Sequence, residues 1–482
     1  MKNLLPAVLG ALVALSGCLY DPIDSVPEPG TARAAVADPA DVDVADRLAA
    51  IPGMTVEEIA APWPGYRHFA LTYAQPVDHS HPEVATFPQR ILLIHRDEAQ
   101  PTVINTAGYG ASNARARYGL LPYMLDGNYV VVEHRFFGAS VPDPADVRYL
   151  TIDQSAADHH AIIQALQTIY TGAWVSTGAS KGGMTASYHH RRYPDDVAGT
   201  VSDVAPLSFG HKDLRYVGFL KNVGDAGCRA KLDAFQRQAL SRRATLAPMI
   251  DEYMASIDDG LHALPGGADQ ALDIAIAEFL FQFWQYGEPS WCDEIPGADA
   301  TDQQVFDFID RVGTFFVGDD LTLQYYGPYY YQAVTQLGYP RLPTANIRDL
   351  LHYDPNDYRP YVAAYGDHLP FDPLAMLDMA LWSILHSDRM IYVYGQFDPW
   401  SAAAYPIWPG RGDVHRFVVP QGNHGSNIGQ LTGDDQTEAL ETLERWTGVT
   451  PRLPPPPSAA AAFAPSAPWF DSEDDAERRA PL

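Results

Sequence analysis

Ser180 stands in Gly178-Ala179-Ser180-Lys181-Gly182, a G-x-S-x-G run that follows a short apolar stretch and opens a helical pattern. A serine hydroxyl is a poor nucleophile, so it must sit on a sharp, exposed turn where a base can reach it. Flanking glycines permit that turn and close helix packing. A helix starting at Lys181 would also aim its dipole and free N–H groups at the point where an oxyanion forms. Alone, the pattern fits a structural Gly/Ser turn equally well; its chemistry depends on partners downstream. The apolar run 391–394 leads into Gly395-Gln396-Phe397-Asp398-Pro399-Trp400, and the run 416–419 leads into Pro420-Gln421-Gly422-Asn423-His424-Gly425. Serine, then aspartate, then histidine, each just past a strand end, is the chain order of a hydrolytic triad on a parallel sheet. Asp398 would orient an imidazolium and His424 would move the proton. The oxyanion needs two donors. The first is the backbone N–H of Lys181, and the second is expected from Tyr109, in the loop Thr106-Ala107-Gly108-Tyr109-Gly110 after the run 102–105.

These residues require a sheet to carry them. The stretches 102–105, 129–132, 173–176, 199–202, 391–394 and 416–419 are short, mostly apolar and rich in β-branched residues, and helical patterns at 151–170 and from Lys181 alternate with them. That alternation predicts an α/β class: an α/β-hydrolase fold with a mostly parallel sheet and helices on both faces. Residues 207–387 break the rhythm with a long, helical, aromatic-rich segment, expected to be an inserted cap. The hydrolase domain is thus divided into 51–206 and 388–450.

The ends read differently. A lysine followed by the apolar run 4–15 and Leu15-Ser16-Gly17-Cys18 has the form of a lipoprotein signal, too short to span a bilayer. The expectation is cleavage before Cys18, lipidation of Cys18, and a cell-envelope or secreted destination. Residues 19–50 are expected to form a flexible tether and 451–482 a disordered Pro/Ala-rich tail. Cys228 and Cys292 are then expected to pair in an oxidising compartment. The net charge of −28 over 482 residues argues against nucleic acid as a partner and against anionic membrane surfaces, leaving membrane attachment to the lipid alone. No cofactor is expected. No metal is expected either, since the histidine pairs His79/His81, His159/His160 and His189/His190 lack ligand spacing. The sequence leaves the oligomeric state open.

Glu133-His134-Arg135-Phe136-Phe137-Gly138-Ala139-Ser140, Gly178-Ala179-Ser180-Lys181-Gly182-Gly183-Met184, the segment from Gly395 to Trp400, and Gly422-Asn423-His424-Gly425-Ser426 together resemble the secreted tripeptidyl aminopeptidases of the PS-10 type, peptidase family S37. The resemblance spans roughly residues 60 to 450. The prolyl carboxypeptidase and dipeptidyl-peptidase group is similar in the same segments, but there a tyrosine usually stands where this chain has Lys181. The resemblance implies a serine exopeptidase that acts on peptide substrates, releasing short peptides, tripeptides above all, from free N-termini, with a preference for proline. An esterase or lipase on the same fold, or a dipeptidyl-peptidase-like enzyme, is the alternative. An aminopeptidase must hold an ammonium group, and Glu278, at the head of an apolar run, is the candidate. Trp284 and Trp400 are the expected pocket walls. Glu133 and Arg135 are expected to form a structural ion pair.

Overall fold

A computed structural model describes residues 42–61, 64–111, 119–366 and 369–453. Cys18 and its signal segment, the tether up to residue 41, and the tail from 454 lie outside the described residues. The strands are β1 (Met54–Ile59), β2 (Arg67–Pro76), β3 (Thr86–His95), β4 (Thr102–Thr106), β5 (Asn128–Val132), β6 (Trp174–Ala179), β7 (Gly199–Asp203), β8 (Met390–Gly395) and β9 (Val414–Val419). They form one sheet in the order β1-β2-β3-β5-β4-β6-β7-β8-β9. From β5 to β9 all neighbours run parallel, while β1, β2 and β3 enter antiparallel. All six strands expected from the apolar runs are present, in an α/β-hydrolase sheet.

The helices are α1 (Val44–Ala49), α2 (Leu120–Leu125), α3 (Ile152–Leu166), α4 (Lys181–Arg192), α5 (Arg215–Leu220), α6 (Ala226–Ser241), α7 (Arg243–Ser256), α8 (Gly267–Tyr286), α9 (Asp302–Val312), α10 (Asp320–Gln332), α11 (Pro373–Leu385) and α12 (Gly433–Thr447). Successive strand residues point to opposite faces, so one strand feeds two cores. On β8, Ile391 and Val393 pack with Leu121 of α2 and Leu443 of α12. Met390 and Tyr392 pack with Met184 and Tyr188 of α4 and with Met376 and Met379 of α11. Helices therefore cover both faces, as the continuous apolar strands require.

Between β7 and β8, α5 to α10 build a cap with its own core, including Leu232 and Phe235 of α6, Ile250 of α7, Phe279 and Phe283 of α8, and Ile309 of α9. The Cys228 and Cys292 sulfurs are bonded, with Cα atoms 5.2 Å apart, and tie α6 to the turn after α8.

Two expected boundaries move. The tether was expected to run to residue 50, but Val44 and Leu48 of α1 are buried with Ile51 against β2 and α3, so the folded domain begins before residue 44. The cap was expected to reach 387, but α11 covers the sheet beside α4. Its buried Met376, Met379 and Trp382 read as cap residues only because they follow an aromatic stretch without a strand to mark the change.

Candidate active site

β6 ends at Ala179 and α4 begins at Lys181, leaving Ser180 alone at the turn with φ 55° and ψ −124°. A non-glycine residue at positive φ is strained and persists only where its surroundings impose it. Here they do. A Cβ at Gly178 would come within 2.4 Å of Gly182, and one at Gly182 within 2.4 Å of the Thr106 carbonyl. The Ser180 N–H donates to the Asp203 carbonyl at 2.9 Å, and the Met184 N–H to the Ser180 carbonyl at 3.0 Å.

Strand ends bring the other two residues in. Asp398 follows β8 and His424 follows β9, both buried. His424 Nε2 lies 3.0 Å from Ser180 Oγ, and His424 Nδ1 lies 2.8 Å from Asp398 Oδ2. The second Asp398 oxygen accepts the Trp400 N–H at 3.1 Å, which fixes the carboxylate. His424 is also held from the cap. The His424 N–H donates to the Gln285 carbonyl at 2.9 Å, and Asn423 Nδ2 donates to the Tyr286 carbonyl at 3.2 Å. The C-terminal end of α8 is thereby tied to the histidine loop.

Tyr109 and Lys181 line one cavity with Ser180, and among the described residues neither backbone N–H donates to a protein acceptor. Gly108 has φ +79°, and a Cβ there would meet the Gly182 nitrogen at 2.4 Å, so only glycine lets the Tyr109 loop lie against the first turn of α4. The loop is anchored behind by the His134 N–H, donated to the Tyr109 carbonyl at 3.0 Å, and by Glu133 Oε2, which accepts the Ala111 N–H at 3.0 Å.

The expected Glu133–Arg135 ion pair does not form. Arg135 makes two hydrogen bonds to Asp158, at 2.6 and 2.7 Å, while Glu133 accepts from Ala111, Ala139 and Ser140. Residue 133 has left β5, which ends at Val132, and each charge finds a partner on its own side of the chain.

The same cavity is lined by Glu278, Phe281, Gln282 and Gln285, which share one face of α8, and by Trp400 and Tyr329. It encloses about 40 Å³. Glu278 is 5% exposed, and among the described residues no cation and no hydrogen-bond donor meets its carboxylate. Burial raises its pKa to about 8, as expected of an acid removed from water without compensation. Sequence reasoning overlooked Gln282 and Gln285, although polar residues at helical spacing after Glu278 in an otherwise apolar helix were a readable signal. Their Oε1 atoms are buried without a partner among the described residues, so each is an acceptor awaiting a donor. Trp400 lines the cavity as expected. Trp284 does not: it packs on Phe283 and Phe397, above Gly224, where a Cβ would come within 2.1 Å of its ring.

Comparison with known proteins identifies the family. The family model of the PS-10 peptidase S37 group matches residues 37–482. A prolyl tri/tetrapeptidyl aminopeptidase of Streptomyces mobaraensis is 41% identical over 427 residues, covering 88% of each chain. The lysosomal Pro-X carboxypeptidase of Mus musculus is 27% identical over 161 residues, 29% of this chain and 33% of that one. Among solved structures, the proline iminopeptidase of Mycobacterium smegmatis aligns over 81% of this chain and 97% of its own, at 16% identity and a TM-score of 0.34.

Proposed function

The chain belongs to the PS-10 peptidase S37 family and is a serine peptidase; from that premise we propose that it is an aminopeptidase releasing tripeptides from free N-termini, with Ser180, His424 and Asp398 as its triad. Ser180 Oγ attacks the scissile carbonyl carbon while its proton passes to His424 Nε2, and Asp398 stabilises the imidazolium. The oxyanion is received by the N–H groups of Lys181 and Tyr109. Collapse breaks the C–N bond, and the departing amine takes the proton from His424. Water then repeats the sequence on the acyl-enzyme and frees the peptide.

The observation that carries the exopeptidase reading is Glu278: a buried carboxyl group with no cation beside it among the described residues, opening into the cavity of the nucleophile. A substrate ammonium supplies the missing charge. The spacing supports tripeptides. Gln285, whose carbonyl takes the His424 N–H, and Glu278 are about two turns apart on α8, or about 10 Å. Three extended residues span about the same length. Gln282 stands between the two ends, and it and Gln285 offer acceptors to the peptide's N–H groups. A tripeptide needs far more than 40 Å³, so substrate entry requires the cap side chains to move apart. The Streptomyces relative is named a prolyl aminopeptidase, and a preference for proline before the cut is part of this proposal.

The test is the product spectrum from an unblocked decapeptide with proline at position 3. Mass spectrometry is expected to show the N-terminal tripeptide and the complementary heptapeptide as first products. Internal cuts appearing first, or single residues, would contradict the reading.

Among the described residues, no helix is long and apolar enough to cross a membrane. We propose that attachment is through a lipid on Cys18, after export. Labelled palmitate is expected to enter the expressed full-length chain, and Cys18→Ser to abolish that incorporation. Equal labelling of both would rule the anchor out.

A further inference from the structure

Lys181 has so far entered only through its backbone N–H, yet its side chain turns inward. It is 2% exposed, and its Nζ donates to the Gly108 carbonyl at 2.6 Å. Nζ lies 5.4 Å from the centre of the Tyr109 ring and 5.2 Å from that of Phe137. Burial among these rings holds its pKa well below the ordinary lysine value, while either form of the amine keeps an N–H to donate. Among the described residues no carboxylate pairs with it.

The acceptor is the informative part. The Gly108 carbonyl and the Tyr109 N–H are the two ends of a single peptide group, and in a planar trans peptide they point in opposite directions. Holding the carbonyl on one side therefore fixes the N–H on the other. Gly108 is the residue at which that plane could most easily turn over: its φ is +79° and it has no side chain to oppose rotation. A hydrogen bond to the carbonyl also polarises the peptide and strengthens its N–H as a donor.

We propose that the Lys181 side chain is a positioning residue for the oxyanion hole. One residue then sets both donors, the first with its own N–H and the second by clamping the Gly108–Tyr109 peptide through Nζ. The inference rests on the serine-peptidase reading and predicts where the effect of losing the side chain falls. The hole is occupied by oxyanion in the transition state, whereas the substrate amine is bound at Glu278. Loss of the clamp should thus slow turnover and leave ground-state binding intact.

Lys181→Met keeps the length and apolar stem of the side chain and removes the donor. On a tripeptidyl chromogenic substrate, kcat is expected to fall about 100-fold, the scale of losing one oxyanion donor, with KM within about twofold. Affinity for a tripeptide aldehyde, which forms a tetrahedral adduct on Ser180, should fall by a similar factor. Affinity for the free tripeptide product should hold. Lys181→Gln, which restores an N–H donor without charge, should recover part of kcat, and it carries the test if the methionine variant does not fold. Unchanged kcat and aldehyde affinity would overturn the proposal. So would a parallel loss of product binding, which would mark the lysine as a packing element only. Ser180→Ala separates the two levels: if it abolishes turnover while Lys181→Met behaves as wild type, only the clamp is wrong; if Ser180→Ala still turns over, the peptidase reading fails first.

Discussion

Ser180→Ala is expected to lower kcat by about 10⁴- to 10⁶-fold, the range seen when the nucleophile of such a triad is removed. Nothing else in the cavity can replace it, because an acyl-enzyme needs an oxygen at the end of the His424 hydrogen bond, 3.0 Å away. The fold should be untouched. The strain at Ser180 is in its backbone, imposed by the packing of Gly178 and Gly182, and alanine adopts the same φ at similar cost. Thermal unfolding of the variant should match wild type, and binding of the free tripeptide product should persist. A residual rate within tenfold of wild type would remove Ser180 from the mechanism.

Glu278→Gln is the second large effect. Breaking a buried charge pair at one end typically costs about 2–5 kcal/mol, or roughly 30- to 5,000-fold in kcat/KM. The loss should fall on substrates with a free N-terminus, since an acetylated one never made the pair. The same substitution has a signature in stability that does not depend on activity. In the folded chain burial raises the Glu278 pKa to about 8, while in the unfolded chain it returns to the ordinary value near 4.5. The folded state therefore binds the proton more tightly, and unfolding releases it between those pH values. Stability contributed at this site is present below about pH 4.5 and is lost as pH rises toward 8. Glu278→Gln should remove that slope and make the variant more stable than wild type, relative to pH 4, when both are unfolded in urea at pH 9. Parallel pH profiles for the two proteins would show that the carboxyl is not buried as described.

The site was more legible in the sequence than the frame around it, for a physical reason. The parallel strands inside the sheet are buried on both faces, so they appear as mostly apolar runs, and the edge strand β9 keeps one partly exposed face. The loops at the C-terminal ends of β6, β8 and β9 hold Ser180, Asp398 and His424. The antiparallel strands β1 and β2 carry polar residues among the apolar ones, as in Met54–Ile59 with its two glutamates, and left no such mark, whereas β3 holds the continuous apolar run 91–94, which went unread. Partners were harder still. Spacing placed Glu133 near Arg135 in sequence, but the turn after Val132 sends one to the Ala111 loop and the other to Asp158. Trp284 and Glu278 lie on the same helix, and only the direction each faces separates a packing residue from one that opens into the cavity. The inward path of the Lys181 side chain was hidden for the same reason: a lysine after the nucleophile reads as surface until the rings of Tyr109 and Phe137 are seen around it.

The central claim is that one cavity joins an acylating serine to a carboxylate that selects free amines. A matched pair of tripeptidyl chromogenic substrates ending in proline, one with a free N-terminus and one acetylated, tests it most directly. The free form should be cleaved at least about 30-fold more efficiently than the acetylated one, and Glu278→Gln should erase most of that difference by slowing only the free form. Equal cleavage of the pair by the wild-type enzyme would contradict the account.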